Sequence, residues 1–297
     1  LLEDVACDLC GSRDYERRFQ DGGFWVVRCR ECDLFYVNPR PNAALQTTNV
    51  AYGDHFGTVI SSAPDHLAGE LVIVSEMRWW LEELDRRAPK GKFLDVGCGT
   101  GTLLVEAAQR GWQPVGIELN HARADLAEQR VNGPIYRQPV EFLELERESF
   151  AVISLVNVFS HLTAPSKTFR LLGTLLQPGG VLFVKTGVVG REARKEHGRD
   201  WGVPDHLYFN GPNTLDRYLA FAGTESIWCD ERPEVAETYR RSAFEMPGRS
   251  RLRNLIKRVV LAIPGAHWTV FQFMVKVRHR DNPCRTVVVM GRKKSSL

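Results

Sequence analysis

The sequence predicts an α/β protein: a Rossmann-like, mostly parallel sheet with a small metal-binding module ahead of it. Three observations carry that expectation. The segment Lys92-Phe93-Leu94-Asp95-Val96-Gly97-Cys98-Gly99-Thr100-Gly101 is an apolar run ending in an acid, then three alternating glycines, then the amphipathic stretch Leu103 to Arg110. Such a run reads as a buried parallel strand turning sharply into a helix. A second strand pattern, Trp112 to Glu118, places another acid 23 residues beyond Asp95. Two Cys-x-x-Cys pairs, Cys7 with Cys10 and Cys29 with Cys32, stand 18 residues apart near the N-terminus.

The glycine spacing discriminates between ligands. A dinucleotide fold uses G-x-G-x-x-G so that a pyrophosphate rests on a helix N-terminus. Here the pattern is G-x-G-x-G with Asp95 two residues before its first glycine. That carboxylate repels a pyrophosphate and suits a ligand that carries positive charge. An acid about 20 residues further on, the position of Glu118, accepts hydrogen bonds from the two hydroxyls of a ribose.

The chain has 297 residues, 43% hydrophobic and 25% charged, enough for one large α/β domain and a smaller module. No apolar run reaches 18 residues, so no membrane span is predicted. Residues 1–30 hold cysteines and polar residues rather than an apolar leader, so a cytoplasmic setting with reduced thiols is expected. The net charge of +3 divides unevenly: residues 240–297 carry +12 and residues 1–239 carry −9. That asymmetry suggests an anionic partner for the C-terminal part, or a solvated basic face.

Residues 1–41 read as a zinc ribbon. Two knuckles of this spacing bring four thiolates into a tetrahedron around Zn²⁺, with no open position, so the metal is expected to be structural. The turn Asp21-Gly22-Gly23 leads into the strand Phe24 to Val27, and Leu34 to Val37 is another strand before Asn38-Pro39-Arg40-Pro41. A module this small needs such a staple. Residues 42–91 read as a helical cap, with Leu67 to Arg87 amphipathic and Pro89-Lys90-Gly91 as its stop.

Residues 92–297 supply the remaining core. Asn120 caps a helix to Gln129. Gly133 to Arg137 is a third strand, Phe150 to Val156 a fourth and Val181 to Thr186 a fifth, the helix Pro165 to Leu176 lying between the last two. A helix from Pro212 to Phe221 precedes strand six at Glu225 to Cys229, and Arg285 to Met290 returns as strand seven. Residues 231–283 interrupt that last hairpin at far more than loop length. Within them Leu252, Leu255, Ile256, Val259, Val260 and Ile263 recur at helical spacing opposite Arg251, Arg253, Lys257 and Arg258. This stripe suits a lid, a dimer contact or, over 249–277, an anionic membrane surface.

The glycine loop, the second acid and the Pro178-Gly179-Gly180 turn before an apolar strand resemble the class I S-adenosylmethionine-dependent methyltransferases. The zinc module ending in Asn-Pro-Arg-Pro is similar to the bacterial group that modifies sugars, lipids and secondary metabolites. The resemblance implies a seven-stranded sheet of order 3-2-1-4-5-7-6 with strand seven antiparallel. It implies cofactor contacts from Asp95, Gly97, Cys98, Gly99, Gly101, Glu118 and Leu119, from Val140 near the adenine ring, from Asn157 past strand four, and from Tyr52 of the cap. It also implies S-adenosylmethionine as cofactor, alongside structural Zn²⁺ on Cys7, Cys10, Cys29 and Cys32. Family members commonly carry F-D-x-I and E-H-L around strand four, where this chain has Ala151 and Ser160 and keeps His161.

An oxygen acceptor benefits from a general base, and imidazole titrates near neutrality. His206, flanked by Asp205, is the expected base. Tyr208, two residues on and on the same side of an extended segment, is a second catalytic candidate, and His161 is the third, expected to position the loop. O-methylation of a sugar, glycolipid or secondary metabolite is the expected activity. The alternatives are a ribosomal- or transfer-RNA methyltransferase using the zinc module and basic C-terminal segment, and a cofactor-binding scaffold with impaired catalysis.

Overall fold

The computed structural model of the chain describes residues 2–52, 66–189, 202–233 and 284–294. Among the described residues, thirteen strands and six α-helices follow in order. The N-terminal part holds β1 (Leu2–Glu3), β2 (Tyr15–Asp21), β3 (Phe24–Cys29), β4 (Phe35–Val37) and β5 (Arg40–Pro41), then helices α1 (Ala43–Tyr52) and α2 (His66–Asp85). The core begins with β6 (Lys92–Val96), α3 (Thr102–Ala108), β7 (Gln113–Ile117), α4 (His121–Arg130) and β8 (Ile135–Tyr136). It continues through β9 (Phe150–Val156), α5 (Pro165–Leu175), β10 (Leu176–Val189), β11 (Tyr208–Phe209), α6 (Pro212–Phe221), β12 (Thr224–Pro233) and β13 (Cys284–Lys293).

Seven of these strands form one sheet in the order β12-β13-β10-β9-β6-β7-β8. Core strands one to seven are β6, β7, β8, β9, β10, β12 and β13, so the sheet has the expected order 3-2-1-4-5-7-6. The pairs β6–β7, β6–β9, β9–β10 and β7–β8 are parallel, whereas β13 runs antiparallel to both β10 and β12. The central strands are continuous apolar runs because helices cover both faces. On one face Trp80, Leu81 and Leu84 of α2 pack with Leu103 and Leu104 of α3 against Phe93, Val152 and Phe183. Helix α2 is further held there by a forked pair from Arg78 to Glu106 and by Trp79 against Trp228. Full burial of each large apolar side chain contributes about 1.5–3 kcal/mol.

On the other face the N-terminal module is not separate from the core. The core there runs without interruption from Leu94, Ile153, Leu182 and Phe169 into Val26, Val27, Leu34 and Tyr36 of the N-terminal module. A second sheet explains this: its order is β11-β4-β3-β2, and β11 comes from the segment after core strand five. Tyr208 pairs with Tyr36 and Phe209 with Phe35 in antiparallel register. The module's ribbon is therefore completed by a strand of the domain that follows it.

Several boundaries move. Core strand three shrinks to two residues, and core strand five begins at Leu176, with a register shift before Val181. Strand six runs to Pro233, paired with Arg285, so the insert placed at 231–283 begins only after Pro233. The reason is that the ladder keeps its register through Glu231 and Arg232. The amphipathic stripe at 249–277 lies outside the described residues. No described helix is long and apolar enough to cross a membrane. Cys229 is exposed on β12.

Candidate active site

Strand β6 ends at Val96, and the chain turns through Gly97, Gly99 and Gly101 with φ of 72°, 57° and 77° before entering α3. Two of these positions require glycine for different reasons. At Gly97 an added Cβ would stand 2.3 Å from Cγ2 of Val158. At Gly99 nothing lies within 4 Å of the Cβ position. There the left-handed backbone is the constraint, and the space beside the main chain is open. The Gly97 and Cys98 amides both donate to the Ile117 carbonyl, at 2.7 and 2.9 Å, which ties the loop to β7. The Cys98 thiol sits buried beneath it; burial, and then the nearby Asp95 and Glu118, push its pKa up and keep it neutral.

Glu118 leaves the end of β7 with only 6% of its surface exposed. Its Oε2 accepts from the Gly99 amide at 2.8 Å and its Oε1 from the Asn120 amide at 2.8 Å. A carboxylate offers about four acceptor sites, so two remain for further donors such as a vicinal diol. The two amides fix the carboxylate before any ligand arrives. Asn120 then caps α4, its side chain accepting from the Arg123 amide. Asp95, 2% exposed, accepts from the Ser154 hydroxyl at 2.6 Å. Burial pushes its carboxyl up to about 7, with the Ser154 bond opposing and the charge of Glu118 adding to the rise. A positive charge beside these two buried carboxyls would favour their ionised forms.

The other expected cofactor residues fall around the same strand ends. Leu119 is half-buried between Glu118 and Asn120, and Val140 is buried in a short 3-10 turn, Val140–Phe142. Asn157 is exposed just past β9 in a left-handed conformation, φ 58°. Its Oδ1 accepts from Nζ of Lys185 at 2.8 Å, and its amide donates to the Lys185 carbonyl at 2.8 Å. Tyr52 closes α1, and its side chain lies outside the described residues.

Beyond core strands four and five the two expected histidines come together. His161 ends the 3-10 turn Phe159–His161, and its ring lies 4.8 Å from that of His206, centroid to centroid. The Nδ1 of His161 is 3.0 Å from the Asp205 carbonyl. A carbonyl only accepts, so Nδ1 carries the proton and Nε2 is left as the basic nitrogen. The buried amide of Gln46, on α1, donates to the same carbonyl at 2.9 Å.

Tyr208 has a different place from the one the sequence suggests. It is a buried ladder residue of β11, and its hydroxyl accepts from Arg40 at 2.6 Å. Burial holds the phenol well above its ordinary range, so it stays neutral and serves the junction between the two sheets. Ser154, Lys185, Arg40 and Gln46 were not singled out from the sequence. Lys185 had a signal, as the lone cation in the run Val181-Leu182-Phe183-Val184-Lys185. The other three had none that local pattern carries.

The four N-terminal cysteines converge as their spacing predicts, with all four sulfurs within 4.8 Å of one another. Cys7 Sγ lies 3.4 Å from Cys32 Sγ, and Cys10 Sγ 3.5 Å from Cys29 Sγ. A disulfide would bring sulfurs to about 2 Å. A tetrahedral Zn²⁺ with bonds near 2.3 Å separates its ligands by roughly 3.8 Å, so the donor set and its spacing fit that ion.

The arrangement defines a class: a Rossmann-like sheet with a glycine loop and paired acids at the strand ends, of the class I S-adenosylmethionine-dependent methyltransferase type. Residues 74–227, just over half the chain, match the model of the family described as "Methyltransferase domain", and the chain belongs to that family. It is 33% identical over 114 residues to the ubiquinone biosynthesis O-methyltransferase of Acinetobacter baylyi, covering 36% of this chain and 48% of that protein. It is 30% identical over 160 residues to the protein of the same name from Saccharophagus degradans, covering 48% and 67%. The chain thus spans about half the length of the first of these relatives. Among solved structures, geranyl diphosphate C-methyltransferase from Streptomyces coelicolor A3(2) superimposes with a TM-score of 0.55 at 13% identity, over 85% of this chain and all of that one. The phosphoethanolamine N-methyltransferase 2 of Haemonchus contortus gives 0.51 at 15% identity, over 92% and 63%. Likeness at these identities is likeness of fold.

Proposed function

We propose that this protein transfers a methyl group from S-adenosylmethionine to a hydroxyl oxygen of a small molecule, and that its four N-terminal cysteines hold one structural Zn²⁺. The observation that carries the cofactor reading is the Glu118 carboxylate clamped by the Gly99 and Asn120 amides beside the open face of Gly99. Glu118 holds the ribose diol, Asp95 draws the positive end of the ligand, and Leu119 and Val140 border the adenine. Asn157, fixed by Lys185, closes the strand-four side. When bound, the cofactor supplies a methyl already activated on a sulfonium.

This chain's residues then have two tasks. They hold the acceptor in line, which alone lowers the barrier by about 7 kcal/mol or more. His206 takes the hydroxyl proton as the oxygen forms its bond to the methyl and the carbon–sulfur pair returns to sulfur. The O-methyltransferase names of the relatives support oxygen as the acceptor atom. A phenolic quinone precursor thus joins sugars, glycolipids and secondary metabolites as an acceptor class.

Calorimetry with S-adenosylhomocysteine tests the cofactor half, and methyl transfer to a panel of phenols and sugars tests the acceptor half. Absence of cofactor binding would end the proposal. Metal analysis should find about one Zn²⁺ per chain. A folded, metal-free protein with four free thiols would remove the zinc assignment.

A further inference from the structure

The metal-binding module does not merely precede the domain; it holds the two segments on which the histidines stand. Helix α5 begins at Pro165 behind Ala164, whose side chain offers no cap. The cap comes from Asp8, between the first two cysteines: Oδ2 accepts from the Ser166 amide at 2.8 Å and Oδ1 from the Ser166 hydroxyl at 2.9 Å. Arg40, 7% exposed, donates to the Thr163 carbonyl at 2.8 Å and to the Tyr208 hydroxyl. The Val37 amide donates to the Leu207 carbonyl at 2.9 Å, and the Leu207 amide to the Ser160 carbonyl at 2.7 Å. At the hairpin tip, Gly22 approaches so closely that an added Cβ would stand 2.7 Å from the Val203 carbonyl oxygen. The segments 160–166 and 203–208 are therefore bonded to each other and to the module, with His161 on one and His206 on the other. The glycine loop is tied instead to β7, through the Gly97 and Cys98 amides on the Ile117 carbonyl.

Taking His206 as the acceptor-side base proposed above, with the His161 ring beside it, we propose that Asp8 and Arg40 are positioning residues for methyl transfer. Through them the folded, metal-loaded knuckles set the 160–166 and 203–208 backbone while leaving the cofactor loop independent. An N-cap deletion weakens a helix start by an amount equivalent to about a fivefold to tenfold rise in local opening.

The test uses the full chain. Hydrogen exchange of Asp8→Ala, with its metal content checked, should quicken by about five- to tenfold at amides of 161–168 and 205–209. Exchange at Gly97 to Gly101 and S-adenosylhomocysteine affinity should stay within about twofold. Asp8→Asn, which keeps an acceptor, should restore most of the protection. Removing the metal by chelation should loosen the same segments further, again sparing cofactor affinity. Unchanged exchange in Asp8→Ala and Arg40→Met would overturn the proposal, and so would loosening that reaches the cofactor loop equally. Because exchange and cofactor affinity are read without turnover, failure of His206 as the base would leave these results standing, and the two outcomes separate.

Discussion

The two halves of the proposed site, cofactor and acceptor, are built in opposite ways. The glycine loop and its two acids come from one contiguous stretch: the Gly99–Glu118 bond joins residues 19 apart, and β6, α3, β7 and α4 follow one another. Ser154 and the Lys185–Asn157 pair are added from the neighbouring strands. The acceptor half is gathered from across the chain. Arg40 reaches Tyr208 over 168 residues, and Asp8 reaches Ser166 over 158. Short-range construction makes the first half largely self-contained, whereas long-range contacts make the second depend on the N-terminal module. One consequence is that turnover and cofactor affinity should be separable by mutation. The following experiments test that separation.

The largest expected effect is on turnover alone. A positioned base contributes about 10²–10⁴-fold, so His206→Ala should lower turnover by that much while S-adenosylhomocysteine affinity stays near the wild-type value. Turnover at the wild-type rate would mean that alignment carries the reaction or that another base serves. His161, whose Nδ1 faces the Asp205 carbonyl, supports the loop in this account, and its variant should act more mildly.

Next comes the pH dependence of the cofactor half. Asp95 has its folded-state pKa raised from 3.8 to about 7, chiefly by burial. The folded protein therefore keeps a proton that the unfolded chain has released. Between pH 4 and 7 this makes the cofactor-free protein less stable as pH rises, by roughly 4 kcal/mol in all, and the effect levels off above 7. Asp95→Asn should remove that limb in denaturant unfolding followed from pH 4 to 8. Cofactor affinity should rise over the same window in the wild type and not in the variant. Parallel stability curves for the two proteins would show that burial of Asp95 is not what the limb reports.

Glu118→Ala should act on affinity without touching the acceptor half. It removes a carboxylate that holds two amides and leaves the ribose without its acceptor, a loss of about 1.5–3 kcal/mol in binding. Glu118→Gln, which keeps one acceptor oxygen, should lose less. Wild-type affinity in both would break the assignment of the second acid.

The same division decides what the sequence discloses. The strand β9 and the helix α6 lie where the sequence puts them, because a buried run and a Pro-led amphipathic helix are local patterns. The cysteine cluster and the Asn120 cap are legible for the same reason. Strand β11 is not: it is two residues long, with no periodicity to read, and it exists because β4 offers it a partner. The Asp8 cap on α5 is likewise invisible, since an acid between the cysteines of a C-x-x-C pair carries no mark of a helix 158 residues away. Tyr208 misled for a related reason. Its proximity to His206 in sequence suggested chemistry, while its neighbours in space, Tyr36 and Arg40, lie in the module.

The smallest expected effect on the fold tests the glycine loop most closely. Gly99 and Gly111 are alike in isolation: each has positive φ, 57° and 85°, and each has open space where a Cβ would sit. Alanine at either should therefore destabilise the cofactor-free protein by about 1–2 kcal/mol, the strain of a left-handed alanine. They differ in what fills that space. Gly111 lies in the turn between α3 and β7, away from the strand ends that carry the acids, whereas the Gly99 amide is bonded to Glu118. Gly99→Ala should then lose cofactor affinity beyond its stability change, and Gly111→Ala should not. Equal affinity in the two variants would mean that the open face of Gly99 is not where the cofactor lies. The ligand would then have to approach Glu118 from another side.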